Sequence, residues 1–156
     1  MKRSAYRRTI LTAALMLPAL IASAEATGPL STYTPPLSAE LKARLAQADV
    51  AAGARFFERK CSQCHDGEKT GAHAKGPWLW NVFGRHAGSI AGFEFSTAMK
   101  SAGVVWDFAT LDYYLADTER AVPGRAMNFT GISDPMLRAA VVVHLSRLND
   151  APPALP

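Results

Sequence analysis

At 156 residues, 49% of them hydrophobic, the chain is long enough to bury one core and too short for two domains of ordinary size. Its net charge of +4 is carried by Lys2, Arg3, Arg7 and Arg8, and residues 25–156 hold thirteen Lys/Arg against thirteen Asp/Glu. That balance excludes nucleic-acid binding through a phosphate-neutralising face, which needs a local surplus of positive charge.

The four basic residues open "MKRSAYRRTILTAALMLPALIASA", where an apolar run from Thr9 to Ala22 ends in the small residues Ala22-Ser23-Ala24. Residues 1–24 read as a secretory signal peptide. The run is shorter than the roughly 20 residues of a spanning helix and contains Pro18, so membrane contact is expected only transiently or through an uncleaved leader. Arg7-Arg8 is a weak twin-arginine signal. Either export route predicts a periplasmic protein.

Residues 25–37, "EATGPLSTYTPPL", carry three prolines and no helical period, and read as a flexible Pro-rich lead-in. A single domain is expected over 38–150, followed by a Pro-rich tail, 151–156. Ser38 can cap a short helix carrying Leu41 and Leu45 one turn apart. Asp49 can cap a second, running through "VAAGARFFERKCSQC", with Val50, Gly53, Phe57, Cys61 and Cys64 on one face. A glycine costs about 1 kcal/mol relative to alanine inside a helix. Gly53 on the apolar face therefore predicts a close crossing with another helix.

From Asp66 to Phe95 the chain has six glycines and no sustained period. A connection of that length in a small domain is expected to wrap something. A short helix follows in "STAMKSAG", then a longer one in "DFATLDYYLADTER" with Leu111, Tyr114 and Leu115 as its apolar stripe, closed by the turn Pro123-Gly124. Asp134 as cap and Pro135 at the first helical position open a last helix reaching Leu148.

The chemistry sits in "RKCSQCHDGEK", which holds both cysteines of the chain, Cys61 and Cys64, followed by His65. A thioredoxin-like dithiol requires a βαβ setting, and here the motif ends a helix and enters a glycine-rich loop. A structural zinc site requires a fourth ligand, and His73, His86 and His144 form no recognisable pair. A c-type haem explains more. Cysteines three apart project from one helical turn towards the two vinyl groups of a porphyrin, and the histidine that follows reaches the iron. A sixth ligand could come from Met99, Met127, Met136, His73, His86 or His144; of these Met127 stands apart, in a non-helical segment aimed by the turn Pro123-Gly124.

From Asp49 to Leu148 this ordered series resembles the class I cytochromes c, near the group of mitochondrial cytochrome c and bacterial cytochrome c2. The series is Gly53 and Phe57, the Cys61–His65 motif, "KGPWLWNVFGRHAG", "AGFEFS", "GVVW", "TLDYYL", "VPGRAMNFTGI" and the last helix. The resemblance implies an all-α fold in which the first and last helices of this domain cross at Gly53 and loops wrap one covalent haem c. It implies His65 and Met127 as axial ligands, the Pro77 carbonyl orienting His65, Arg85 and Trp106 near the haem propionates, and Tyr114 beside Met127. Leu79, Phe83 and Phe129 would pack near the haem.

Some positions depart from the family pattern. Phe95 replaces a common tyrosine, Met99 a common asparagine, and Glu119 and Ala126 stand where mitochondrial relatives often carry lysine. The implied function is that of a monomeric, respiratory-chain electron carrier without substrate turnover. It would pass single electrons between a dehydrogenase or quinol-oxidising complex and a terminal oxidase or reductase. Trp78 and Trp80 raise a second reading, a dedicated subunit of one periplasmic dehydrogenase, since exposed aromatics can anchor an interface. A third is a gas-binding or catalytic haem protein with an open sixth site.

Overall fold

The computed structural model describes residues 28–156; the leader and the first residues of the lead-in lie outside the described residues. The domain is all-α. Its elements are α1 (Ala39–Ala46), α2 (Val50–Phe56), α3 (Thr97–Lys100), α4 (Phe108–Ala116), α5 (Thr118–Ala121) and α6 (Pro135–Arg147). Among the described residues the only β pairing is an isolated antiparallel bridge between His86 and Val105.

Side-chain caps set the helix starts, because they satisfy N–H groups that have no partner within the helix. Ser38 accepts from the Leu41 amide, Asp49 from Ala52, and Asp134 from Met136 and Leu137. Asp107 and Thr110 form a reciprocal capping box on α4. The helix predicted over "DFATLDYYLADTER" is two helices. Asp117 adopts an extended conformation (φ −158°, ψ 101°) and caps α5 through the Arg120 amide. The helix predicted from Val50 through the cysteines is also interrupted: after Phe56 it widens into a π-helical turn, Phe57–Cys61, closed by the Ser62 amide on the Phe57 carbonyl at 2.9 Å.

α6 is the axis of the core, with Ala139, Ala140, Val141, Val142, Val143 and Leu145 all buried, and α1, α2 and α4 pack against it. The α2–α6 crossing is at Gly53. A Cβ there would overlap the Ala140 carbonyl and lie 3.0 Å from the Val141 amide nitrogen, so only glycine permits this approach.

The lead-in differs from its sequence reading. From Gly28 it is docked: Leu30 is buried, its amide bonds the Ala121 carbonyl at 2.8 Å, and Tyr33 packs on Tyr113 with ring centroids 5.1 Å apart. The Tyr113 hydroxyl donates to the Gly28 carbonyl at 2.7 Å. α1 is firmly seated through Leu41 and Leu45. Beside it Arg138 Nε donates to buried Asp112 at 2.9 Å and Arg138 Nη1 to the Ile132 carbonyl at 2.7 Å, while Arg44 reaches the same carboxylate at 3.9 Å. A buried carboxylate persists only with such partners.

Candidate functional site

The segment from Asp66 to Phe95, α4, the loop after α5 and α6 enclose one cavity of about 650 Å³. Leu79, Val82, Leu111, Leu115, Val141 and Leu145 give it an apolar lining. Cys61, Cys64, His65, Pro77, Arg85, Trp106, Tyr114 and Met127, scattered over 67 positions of sequence, also line it. The volume is that of a site for a large ligand or cofactor.

One wall is built from backbone. The π-helical turn delivers Cys61, and the Cys64 and His65 amides both bond the Cys61 carbonyl, at 3.0 and 2.9 Å. Gly76 closes on this turn through its amide to the Cys64 carbonyl at 2.7 Å. His65 Nδ1 lies 2.7 Å from the Pro77 carbonyl oxygen. A carbonyl only accepts, so Nδ1 carries the proton and Nε2 keeps its lone pair. Burial holds the imidazole pKa below its ordinary value, against the opposing pull of the Pro77 bond, so the ring is neutral at pH 7. A Cβ on Gly76 would come within 2.7 Å of His65 Nδ1 and 2.8 Å of Nε2. The bare glycine is what lets the ring lie flat on the loop. Cys61 and Cys64 form no disulfide, and burial, with Cys64 adding to it, pushes a thiol at Cys61 up to about 11.

The other wall is built from side chains. Tyr114, buried on α4, points its hydroxyl at Met127 Sδ, 3.9 Å away, and its ring packs on buried Trp106 at 5.2 Å. Burial pushes the Tyr114 phenol up to about 12, opposed by the nearby Arg125 guanidinium, so it stays a donor across the physiological range.

Arg85 donates to the Trp78 carbonyl at 2.8 Å and to the Trp80 carbonyl, and burial lowers its pKa without discharging a guanidinium. Its amide region pairs with Trp106, whose N–H bonds the Arg85 carbonyl at 2.9 Å. A fixed cation at the edge of an apolar cavity suits a ligand with an apolar body and an anionic margin.

The other sequence candidates for a sixth ligand are placed as follows. Both ring nitrogens of His73 are engaged, Nδ1 accepting from the Trp78 amide at 3.0 Å and Nε2 donating to the Ala91 carbonyl at 2.9 Å. His144 packs on Phe57 at 5.1 Å and Met136 is 42% exposed, and neither lines the cavity. Met99 and His86 line it with Phe95, which stacks edge-on against Phe93 rather than presenting a hydroxyl. Trp78 and Trp80 are half-buried, and the Trp78 indole N–H is engaged by the Glu68 carbonyl at 2.7 Å. Sequence reasoning missed Arg125, because an arginine beside a Pro-Gly turn carries no signal of burial.

The family profile described as "Cytochrome c" matches residues 50–141. The chain belongs to the cytochrome c family. It is 42% identical over 99 residues to a cytochrome c of Chlamydomonas reinhardtii, covering 64% of this chain and 88% of that one. It is 37% identical over 99 residues to a cytochrome c of Ginkgo biloba, with the same coverage. Against a cytochrome c of Euglena viridis it is 34% identical over 102 residues, covering 65% of this chain and 99% of that one. As a member of the family the chain is an electron carrier rather than an enzyme, binds haem c covalently and exchanges electrons with redox partner proteins.

The residues present fit that group. Two cysteines a turn apart that form no disulfide, a neutral histidine with Nε2 unused and an apolar cavity with one cationic edge match a porphyrin bearing two vinyls, an iron and two carboxylates.

Proposed function

We propose that His65, through Nε2, and Met127, through Sδ, are the axial ligands of a haem c held by Cys61 and Cys64. Arg85 and Trp106 serve its carboxylate edge, and Leu79 with the other apolar lining residues excludes water. The observation that carries the reading is the 2.7 Å approach of His65 Nδ1 to the Pro77 carbonyl. That bond fixes the tautomer and ring plane a metal-bound histidine needs. Tyr114, donating towards Met127, and the turn ahead of it give the loop a reason to aim a thioether inward.

Bound there, haem c supplies an iron that takes up and releases one electron without a change of substrate. Histidine and methionine ligation in an apolar crevice raises the reduction potential, because the thioether favours the ferrous state and burial opposes the extra ferric charge. Residues 1–24, read as a leader, support placing the carrier in the periplasm. There it would work as a monomer in a respiratory chain, between a dehydrogenase or quinol-oxidising complex and a terminal oxidase or reductase.

Its docking face lacks lysine at two positions where mitochondrial relatives often carry it, since Glu119 is paired with Arg125 and Ala126 carries no charge, and exposed Lys60 and Lys75 remain beside the cavity. Partner exchange should therefore depend more weakly on salt than in those relatives. A potentiometric titration followed by reduced-minus-oxidised spectra tests the reading. A single one-electron transition at positive potential is expected; a negative midpoint or a high-spin ferrous spectrum would refute it.

A further inference from the structure

Met127 is weakly held by its own side chain, since a hydroxyl 3.9 Å from sulfur is a weak contact. Its loop is held much more firmly, from both ends. Arg125 lies beside the surface turn Pro123-Gly124, yet its side chain folds inward and is only 11% exposed. Its Nε donates to Thr118 Oγ1 at 2.5 Å, Nη1 to the Glu119 carboxylate, and Nη2 to the Phe129 carbonyl at 3.3 Å. Thr118, fully buried on α5, donates its hydroxyl to the same Phe129 carbonyl, and its amide bonds the Thr130 carbonyl at 3.1 Å. The outer carboxylate of Glu119 also accepts from the Gly124 amide at 3.2 Å.

One guanidinium thus joins the chain before Met127, at Thr118 and Glu119, to the chain after it, at Phe129. Only a planar fork with several donors can do this; an ammonium is a single point. Hydrogen bonds to a charged donor are the stronger kind, and breaking one in a buried site leaves its partners unsatisfied.

We propose that Arg125 is a positioning residue for the sixth-ligand loop, a clasp between α5 and Phe129 that sets how readily Met127 leaves the iron. The proposal rests on Met127 being that ligand. Opening of the loop requires the fork to release the Phe129 carbonyl and Thr118, and with the fork in place Met127 can swing only within a closed frame. The same cation is only 11% exposed while its partner Glu119 is 59% exposed and screened by water, so the pair leaves a positive field inside the site that disfavours further positive charge nearby and favours the ferrous form.

The test uses the mature holoprotein and imidazole as a competing ligand, following loss of the weak far-red absorption band of methionine-ligated ferric haem. Arg125→Met should speed substitution by about tenfold or more, the effect of losing a buried charged bond, and should lower the midpoint potential. Arg125→Lys should restore the midpoint towards the native value while substitution stays fast, a split that simple loss of stability would not produce. A folded Arg125→Met with native substitution rate and midpoint overturns the proposal. If Arg125→Met fails to mature, Arg125→Gln takes its place: its shorter, neutral amide cannot span Thr118, Glu119 and Phe129 together, so faster substitution supports the clasp while an unchanged rate overturns it. Absence of the far-red band from the native protein would instead refute Met127 as ligand, whatever the Arg125 variants do.

Discussion

His65 is held within a dozen residues of chain, by the Cys61 carbonyl at its amide, the Pro77 carbonyl at its ring and the bare Gly76 beneath it. Met127 is reached directly by Tyr114 on α4 and by the Phe129 amide, and its loop is held from α5 by Thr118 and Glu119 through Arg125 and the Phe129 carbonyl. Backbone contacts cannot rotate away, whereas a frame of side chains can open bond by bond. The two walls therefore differ in what they tolerate: the histidine wall should fail as a unit, and the methionine wall should yield by degrees.

Gly76→Ala should break the comparison hardest. The added methyl meets an imidazole that its bond to Pro77 prevents from moving, so a loss of roughly 3 kcal/mol or more is expected, with poor haem incorporation. Urea unfolding and the yield of holoprotein check it; a native-like holoprotein would show that the wall is softer than its geometry implies. Met127→Ala should cost less, about 2 kcal/mol for a half-buried side chain, and should leave the haem attached. Its far-red band should vanish and carbon monoxide should bind the reduced form.

Tyr114→Phe should be milder still, less than about 1 kcal/mol, because only one weak O–H to sulfur contact is lost. A shifted but persistent far-red band is expected; complete loss would give Tyr114 a larger share in holding Met127.

The smallest effect distinguishes the walls by pH. His144 packs on Phe57 in the π-helical turn behind the cysteines, and burial, with Arg147 adding to it, lowers its pKa. The unfolded chain binds this proton below about 6.5, whereas the folded chain resists it. Its contribution to stability is thus complete above that pH and is lost as pH falls towards the folded value. Urea midpoints at pH 7 and pH 5 should differ more in the native protein than in His144→Leu, with the far-red band unchanged across the range. Equal differences would remove His144 from the account.

This contrast also decides what could be read from sequence. The histidine wall is local, so the motif and its setting between a helix and a glycine-rich loop point to Cys61, Cys64 and His65, and Gly53 on an apolar face points to a close crossing with another helix, which the family resemblance makes the last one. Met127 was singled out by the turn Pro123-Gly124 ahead of it, whereas Tyr114 beside it became legible only through a series of motifs in fixed order. Arg125 was not legible at all, since burial of an arginine depends on acceptors at Thr118, Glu119 and Phe129 that only the folded loop assembles. The docked lead-in is similar. Its prolines describe an extended chain correctly, but nothing local predicts that Leu30 and Tyr33 find a seat on α4 and α5. The break at Asp117 was readable in principle, as a residue able to cap the helix that follows it.

The proposed electron carrier depends on Met127 completing a coordination sphere begun by His65. The ferric absorption spectrum of the native holoprotein, taken beside Met127→Ala and followed by reduction under carbon monoxide, tests this without reference to any partner. The expected result is a weak far-red band in the native protein alone, with carbon monoxide binding only to the variant. A native protein that lacks the band and binds carbon monoxide on reduction would contradict it.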